Sequence, residues 1–309
     1  MTPPLPLPAE CPIAYRFSAI SGTGSDTRRG EEGRERGEGG EREGGDRALP
    51  GGYIESVELD PFVERFALTT SRVVADHLAT GVSVGDLADS AGYSPFHFSR
   101  LFAKVFRTTP ARYVAAMRFH RAKELLLEHD FPVIDVCHEV GFNSVSTFSR
   151  RFSQAVAVAP GELRVVADHL ADSEIQPFTL GSLASGTVTG RVVFDDGVRA
   201  RLRDDLVHRE PLVWIGAYPQ PVPLGRPVSG VLRRGQGEFL LPVTPAAPWV
   251  LATAYAASTD PMHQLAAFKP LVAMHPGPVR PGDAIRLEFR EAMSWEHPVL
   301  TALPSLARG

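Results

Sequence analysis

This sequence has only two cysteines, no long apolar run and no net positive charge. Two cysteines, Cys11 and Cys137, among 309 residues are too few for a disulfide framework or a cysteine-based zinc site, which suits a reducing cytosol. No run of about 18 apolar residues occurs, so we predict no membrane span. The first residues lack a basic stretch followed by an apolar one, so we expect no secretory signal. These absences predict a cytoplasmic protein with no membrane partner.

The balance of charge limits the classes of partner. The formal net charge is −4, with 32 Lys and Arg against 36 Asp and Glu, so a contact with a polyanion must come from a local group of cations. Metal chemistry is equally unsupported, since the histidines lack partners at ligand spacing, and we predict no metal site and no cofactor. We interpret four of them as surface or helix-packing residues: His97, His120, His129 and His138.

A charged low-complexity tract occupies residues 22–51. Between Asp26 and Arg47 there are eight acids, six arginines and seven glycines, and no apolar residue. Such a segment cannot bury enough surface to offset the entropy lost on ordering, so we predict that residues 1–52 form a disordered extension. An arginine-rich nucleic-acid arm is the alternative, but the acids outnumber the arginines. The sequence leaves open whether these residues belong to the expressed protein.

A short pattern occurs twice. GYSPFHFSRLF begins at Gly92, GFNSVSTFSRRF begins at Gly141, and the segments before them, VGDLADSAG and VIDVCHEVG, align at an offset of 49 residues. We interpret this as an internal repeat of one supersecondary unit. Periodicity and capping residues predict helices at Asp60–Thr80, Ser83–Ala91, Pro95–Phe106, Pro110–Glu128, Pro132–Val140 and Val145–Val156. Thr109 is the predicted N-cap of the Pro110 helix, which would be about 28 Å long.

The second helix of each copy has an apolar back and a polar front. Phe98 and Phe102, like their counterparts Phe148 and Phe152, are predicted to pack inward, leaving Arg100 and Arg150 in front. This is a helix-turn-helix arrangement, in which an arginine can make two hydrogen bonds to a guanine. Phe96 can lie against a thymine methyl. Predicted phosphate contacts are Ser94, Lys104, Arg118, Arg121, Ser144, Thr147 and Arg151, with Arg107 and Arg112 as further cations.

These residues resemble the AraC/XylS family of bacterial transcription regulators over roughly residues 82–164. The motifs are VIDVCHEVGF, FSRLF and FSRRF, RAKELL in the connecting helix, and the closing PGELR. The resemblance implies base reading by the two recognition helices, at Phe96, Ser99, Arg100, Val145, Ser146, Ser149 and Arg150. The chain departs from the family where a Phe-Gly pair is frequent, since it has Phe106-Arg107 and Val156-Ala157. Serines and a valine make few strong base contacts, so we expect DNA shape to add specificity.

From about residue 180 short β-type runs alternate with Pro and Gly, which predicts an all-β sandwich. GTVTGRVVFDDG and the strands after it resemble the transthyretin-like or carboxypeptidase-regulatory-like domain. One branch of that group is hydrolytic, but it ends in Tyr-Arg-Gly-Ser and has a histidine pair, whereas this chain ends SLARG, so we predict no enzyme. Either an effector site or an interaction module is consistent with this domain. Four aromatic residues could line such a site or fill the core: Trp214, Tyr218, Trp249 and Tyr255.

The predicted fold is thus multidomain α and β. It has the extension at 1–52, an all-α double helix-turn-helix domain at 53–172, a linker at 173–183 and a β-sandwich domain at 184–309. The predicted function is sequence-specific DNA binding in transcription regulation. The alternative is a protein-interaction module that uses both domains as docking surfaces. Double-stranded DNA is the expected partner, with RNA polymerase and a small-molecule effector as further candidates. The operator, the effector, the direction of regulation and the oligomeric state are left open.

Overall fold

A computed structural model describes residues 60–172, 175–182, 186–203, 210–256, 260–267 and 270–306. The predicted disordered extension lies outside these residues. No helix in the described ranges is both long and apolar enough to cross a bilayer. Described residues from Phe62 onward belong to one compact unit, in which a helical region precedes a strand-rich region.

The helical region contains seven helices within the described residues. They are α1 (Pro61–Asp76), α2 (Val84–Ala91), α3 (Pro95–Phe106), α4 (Pro110–Glu128), α5 (Val133–Glu139), α6 (Val145–Val156) and α7 (Pro160–Asp172). The predicted bounds of α3, α4 and α6 are confirmed. The prediction that the first helix reaches Thr80 is wrong, because the chain turns after Asp76 and Gly81 takes a φ of 86°. Helix α5 is one residue shorter at each end than predicted, since Pro132 and Val140 are its caps.

Local hydrogen bonds explain where most of these helices begin. Ser83 and Asp86 form a capping box at α2, with distances of 2.8 and 3.1 Å between backbone nitrogens and side-chain oxygens. Ser94 and Ser144 cap α3 and α6 with their hydroxyl oxygens. Thr109 occupies the predicted N-cap position of α4, but its side chain makes no capping hydrogen bond. The fixed φ of Pro110 at the first helical position favours the start of α4 instead.

Two aromatic cores hold the repeated units, and α4 contributes to both. The first contains Phe98, Phe102 and Phe106 around Tyr113, with the rings of Phe102 and Phe106 stacked at a centroid distance of 4.1 Å. In the second, Phe148 and Phe152 surround Phe119. All four predicted inward-facing phenylalanines are fully buried, which confirms the back face of each recognition helix. Cys137 is buried in the second core, as predicted.

The strand-rich region has two sheets within the described residues. Its strands are β1 (Phe178–Leu180), β2 (Thr187–Val193), β3 (Leu212–Tyr218), β4 (Ser229–Arg234), β5 (Gly237–Pro242), β6 (Trp249–Tyr255), β7 (Leu271–Met274), β8 (Ala284–Glu288) and β9 (Arg290–Glu291). The larger sheet has the order β1-β4-β3-β6-β7-β9 and the smaller one β5-β2-β8. Val188 and Leu287 of the smaller sheet share one apolar core with Val213 and Val250 of the larger sheet.

Three features of this region differ from the sequence-based prediction. Strand β1 lies inside the predicted linker and pairs antiparallel with β4, placing Phe178 opposite Leu232. Two short helices, α8 (Asp196–Leu202) and α9 (Pro261–Leu265), interrupt the described strands, and a third, α10 (Leu303–Leu306), follows β9. The β2–β8 pair is parallel, so the region is not built from antiparallel hairpins alone. A strand of three residues is too short to show periodicity, which is why β1 was not predicted.

The helical and strand-rich regions share a core. Leu265, Leu300 and Ala302 pack with the α4, α5, α6 and α7 side chains of the second aromatic core. The backbone nitrogen of Ala302 donates to the Val156 carbonyl at 2.8 Å. Lys123 is fully buried on α4, and its Nζ donates to the carbonyls of Val299 and Leu300, each at 3.1 Å. The segment after β9 therefore packs back against α4 and the end of α6.

Candidate nucleic-acid interface

The front of α3 presents an aromatic ring and a guanidinium one helical turn apart. The side chain of Phe96 is 74% exposed, the largest exposure among the exposed large apolar residues described, and Arg100 is also exposed. The Arg100 Cζ lies 5.8 Å from the centroid of the Phe96 ring, so cation and ring interact at the surface. Lys104 continues the same face one turn later and is exposed.

Ser99 lies on the side of this face. It is half-buried, and its hydroxyl donates to the Pro95 carbonyl at 2.7 Å. Its oxygen keeps acceptor capacity, so it is suited to accept a hydrogen bond from a base amine rather than to donate one. Ser94, at the start of the helix, is exposed and accepts a hydrogen bond from the His97 nitrogen at 3.4 Å.

The front of α6 is more polar and less protruding. Ser146, Arg150 and Arg151 are exposed, whereas Thr147 and Ser149 are half-buried. The Ser146 hydroxyl lies 3.0 Å from that of Ser144, which also caps the helix. Val145, predicted to read a base, is half-buried and packs against the second aromatic core. Arg150 is therefore the longest exposed side chain at the predicted base-reading positions of α6.

Arg118, predicted to contact phosphate, makes contacts within the protein. It is half-buried, its Nε donates to the Leu78 carbonyl at 2.9 Å, and its guanidinium lies 5.7 Å from the Phe142 ring centroid. Burial lowers the pKa of this guanidinium from its usual value. These contacts join the end of α1 to the turn before α6. Arg118 is a structural residue that the charge pattern alone could not separate from a surface cation.

Other predicted cations are also engaged within the protein. Arg121 forms an ion pair with Glu124 at 3.0 Å. Arg112 donates to the Gln220 side chain at 3.0 Å, and Arg107 donates to the sulfur of Met274 at 3.2 Å. These two contacts turn the arginines toward the strand-rich region. Lys104 on α3 and Arg151 on α6 are exposed.

The two recognition helices carry local positive charge in a chain of net charge −4. Neither PFHFSRLFAKVF nor VSTFSRRFSQAV contains an acid, and both carry an arginine at the matched position. The acidic residues that make the net charge negative therefore lie outside these two helices. Among the described residues no group of His, Cys, Asp and Glu is arranged to hold a metal ion.

Sequence reasoning missed a buried polar cluster behind the helices. It was not predicted that Lys123 of α4 bonds to the segment after β9, or that His120 of α4 and His297 of that segment line one cavity. Burial lowers the pKa of Lys123 to about 7 and that of His120 to about 4. Lys123 was the signal in the sequence for a buried polar contact. It lies among the apolar residues Ala122 and Leu126 of α4, and a buried lysine requires a hydrogen-bond acceptor.

Comparison with known proteins identifies the helical region. A family model described as a helix-turn-helix domain matches residues 87–165. The probable transcription factor PqrA of Proteus vulgaris is 31% identical over 84 residues, which are 27% of this chain and 69% of that protein. The transcriptional regulator Rv1931c of Mycobacterium tuberculosis is 33% identical over 81 residues, which are 26% of this chain and 31% of that protein. The chain thus spans about a third of the mycobacterial relative's length.

One solved structure is also similar to part of this chain. The transcriptional regulator with an AraC-type DNA-binding domain from Chromobacterium violaceum is 23% identical, with a TM-score of 0.33. The match covers 34% of this chain and 95% of that one.

Proposed function

The chain belongs to the AraC/XylS family of bacterial transcription regulators, and we propose that it is a sequence-specific DNA-binding regulator that reads two major-groove segments. The observation that carries the proposal is the duplication itself. Helices α3 and α6 each bury two phenylalanines behind an exposed arginine at the matched position, Arg100 and Arg150. Neither front contains an acid. This combination suits a helix that enters a polyanionic groove.

The connecting helix supports reading by a single chain. Helix α4 has 19 residues, which corresponds to about 28 Å at ~1.5 Å per residue. That length approaches the ~34 Å between successive turns of a major groove. Two non-identical recognition helices in one chain would read an asymmetric site without dimerisation.

The two helices would contribute unequally to base recognition. On α3, Arg100 would take a guanine edge and Phe96 a thymine methyl, with Ser99 as an acceptor. On α6, Arg150 would be the main base contact, with Ser146 and Ser149 beside it. Exposed Lys104 and Arg151, together with Ser94, Ser144 and Thr147 at the helix starts, would meet phosphates. DNA shape would add to the specificity of the α6 half.

The strand-rich region would form a β-sandwich with a regulatory role. Its two sheets share one apolar core, and it meets the helical region through Leu265, Leu300 and Ala302. Four aromatic residues were predicted to line a site or fill the core. Trp214 and Tyr218 are buried in the region's interior, whereas Tyr255 lines a cavity. A small-molecule effector is the partner that this arrangement favours. RNA polymerase remains a further candidate.

Selection of a binding site from random duplex DNA tests the proposal. The full chain should enrich one asymmetric motif, and its affinity should fall steeply with salt concentration. Arg100→Ala should relax base preference in one half of the motif and Arg150→Ala in the other, each at a cost of ~1–3 kcal/mol. Arg191→Ala is the matched control, since Arg191 is exposed on β2 and paired with Glu238. Enrichment of no motif by the folded chain would favour the protein-interaction alternative.

A further inference from the structure

A cavity of about 250 Å³ lies between α4 and the strand-rich region. Its apolar lining includes Leu78 and Met117 from the helical side and Tyr255, Leu265, Met293 and Pro298 from the other. Ligand pockets in proteins are concave, mainly apolar and supplied with a few placed polar groups. The volume is slightly below the usual range for such pockets, so it suits a compact molecule.

His297 supplies an unsatisfied polar group in the wall of this cavity. Both of its ring nitrogens are buried, and neither makes a hydrogen bond of good geometry to a described residue, although the Pro298 backbone lies close to the ring. Its ring stands edge-on to Tyr113, with centroids 5.6 Å apart. The Nδ1 of His120, in the same wall, is also buried without a partner. The Nε2 of His120 is engaged, since it lies 3.5 Å from a Glu124 carboxylate oxygen. Buried polar atoms are nearly always paired, so the two nitrogens of His297 and the Nδ1 of His120 beside one cavity indicate a missing partner.

The charged groups near the cavity already have partners. The Nζ of Lys123 donates to two carbonyls, and Glu124 pairs with Arg121. Glu296 accepts two hydrogen bonds from the Arg290 guanidinium, at 2.6 and 2.7 Å. An ionised ligand would find no uncommitted counter-charge among these groups, and burying it would be unfavourable. In the neutral form the His297 imidazole offers one donor and one acceptor, and His120 offers its Nδ1.

We propose that this cavity binds a small neutral molecule, mainly apolar, with one hydroxyl or amide group. Its apolar part would pack against Met117, Leu265 and Met293, and its polar group would hydrogen-bond to the His297 imidazole. The inference deepens the proposed regulatory role of the strand-rich region and rests on it for its biological meaning. The ligand would contact α4 and the last segment together, the two elements that Lys123 joins.

A matched pair of probes tests the site on the full chain in the absence of DNA. The first is 4-methylphenol, and the second is toluene, which has nearly the same shape but no hydroxyl group. Thermal unfolding and titration should show that both bind, with the phenol about fivefold tighter because it gains one hydrogen bond. Of the five methionines, labelled with ¹³C in their methyl groups, Met117 and Met293 should shift on titration. Met262 and Met274 are internal references outside the cavity lining.

Two substitutions test separately the hydrogen bond to His297 and the space in the cavity. His297→Phe keeps the ring and removes its nitrogens, so the two probes should then bind equally. Ala292→Leu places a larger side chain in the lining and should abolish binding of both. The matched controls, exposed His138→Phe and exposed Ala284→Leu, should behave like the original protein. If Ala292→Leu fails to fold, Ala267→Leu, in the same lining, replaces it.

Equal affinity for the two probes in the original protein would overturn the proposal, and so would unchanged binding in the filled-cavity variant. Failure to bind either probe would overturn it too. Because the measurement contains no DNA, a chain that selects a DNA motif but binds neither probe would contradict only this inference. A chain that binds the phenol selectively but selects no DNA would contradict only the proposed DNA-binding function.

Discussion

The guanidinium of Arg100 lies over the ring of Phe96, 5.8 Å from its centroid, on the exposed front of α3. The two residues are four apart on one helix, which makes them neighbours on its surface. The ring restricts where the arginine can point, and with the arginine in place the Phe96 side chain is still 74% exposed. The two side chains therefore form one continuous surface, which is the surface we propose for DNA contact.

This pairing predicts coupled effects on DNA binding. Phe96→Ala should weaken binding to the selected site by ~1 kcal/mol, because it loses an apolar base contact and releases Arg100. In a double-mutant cycle, Phe96→Ala and Arg100→Ala should show a coupling energy of ~0.5–1 kcal/mol. The same cycle with Arg150→Ala should show additivity, since that residue lies on α6. Additivity in both cycles would mean that the stack does not position Arg100.

Two arginines that look equivalent in the sequence should behave differently. Arg151→Ala removes an exposed cation, so it should reduce the salt dependence of DNA binding by about one phosphate contact and leave unfolding unchanged. Arg118→Met should lower the free energy of unfolding by ~1 kcal/mol, because it leaves the half-buried Leu78 carbonyl without its hydrogen bond. Salt titrations and urea unfolding of both variants check this. An unchanged unfolding free energy for Arg118→Met would refute its structural role.

The end of α6 stores backbone strain that a glycine should relieve. Ala157 has a φ of 69°, in the left-handed region, and it stands where the family often has glycine. Ala157→Gly should raise the free energy of unfolding by ~0.5 kcal/mol, with part of the gain offset by the lost methyl contact. Ala155→Gly, two residues earlier and inside the helix, should lower it by ~1 kcal/mol. Urea unfolding compares the two, and a loss of stability in both would contradict the assignment of strain.

Acid should destabilise the contact between the two regions. Burial lowers the pKa of His297 to about 4, against a smaller opposing effect of the Pro298 backbone. The unfolded chain then binds a proton from about pH 6.5 downward that the folded chain refuses until about pH 4, so stability falls over that interval. His297→Phe should remove a slope of ~1.4 kcal/mol per pH unit, about 2 kcal/mol between pH 6.5 and 5.

The exposed His138 provides the control for this titration. His138→Phe should leave the pH dependence of urea unfolding as it is in the original chain, although carboxylates titrate in the same interval. If the free energy of unfolding changes with pH in the same way in His297→Phe and His138→Phe, His297 does not contribute to the pH dependence of stability.

The helical region could be predicted closely because its signals are local. Ser94 and Pro95 start α3, and the spacing of Phe98 and Phe102 defines its buried face, so neither needs tertiary information. The front-facing positions follow from the same periodicity, and their role in reading bases stays a prediction. Val145 shows the limit, because a side chain at the edge of the polar front can lie against the core instead.

Long-range contacts account for what could not be predicted. Arg118 and Lys123 are both cations on α4, yet one joins α1 to the turn before α6 and the other joins the last segment to the helices. Their partners are backbone carbonyls, 40 and 176 residues away, and a carbonyl leaves no mark in the sequence. The cavity is long-range too, since His120 of α4 and His297 of the segment after β9 both line it.

The bond from Lys123 to the carbonyls of Val299 and Leu300 has a consequence for how such a gene can be rearranged. A recombination breakpoint after α7 would pass the helical region to a new partner without the residues that close its core. The inherited piece would carry a buried amine with no acceptors and an uncovered patch where Leu300 and Ala302 had packed. A new companion would have to supply carbonyls and apolar side chains at the same place.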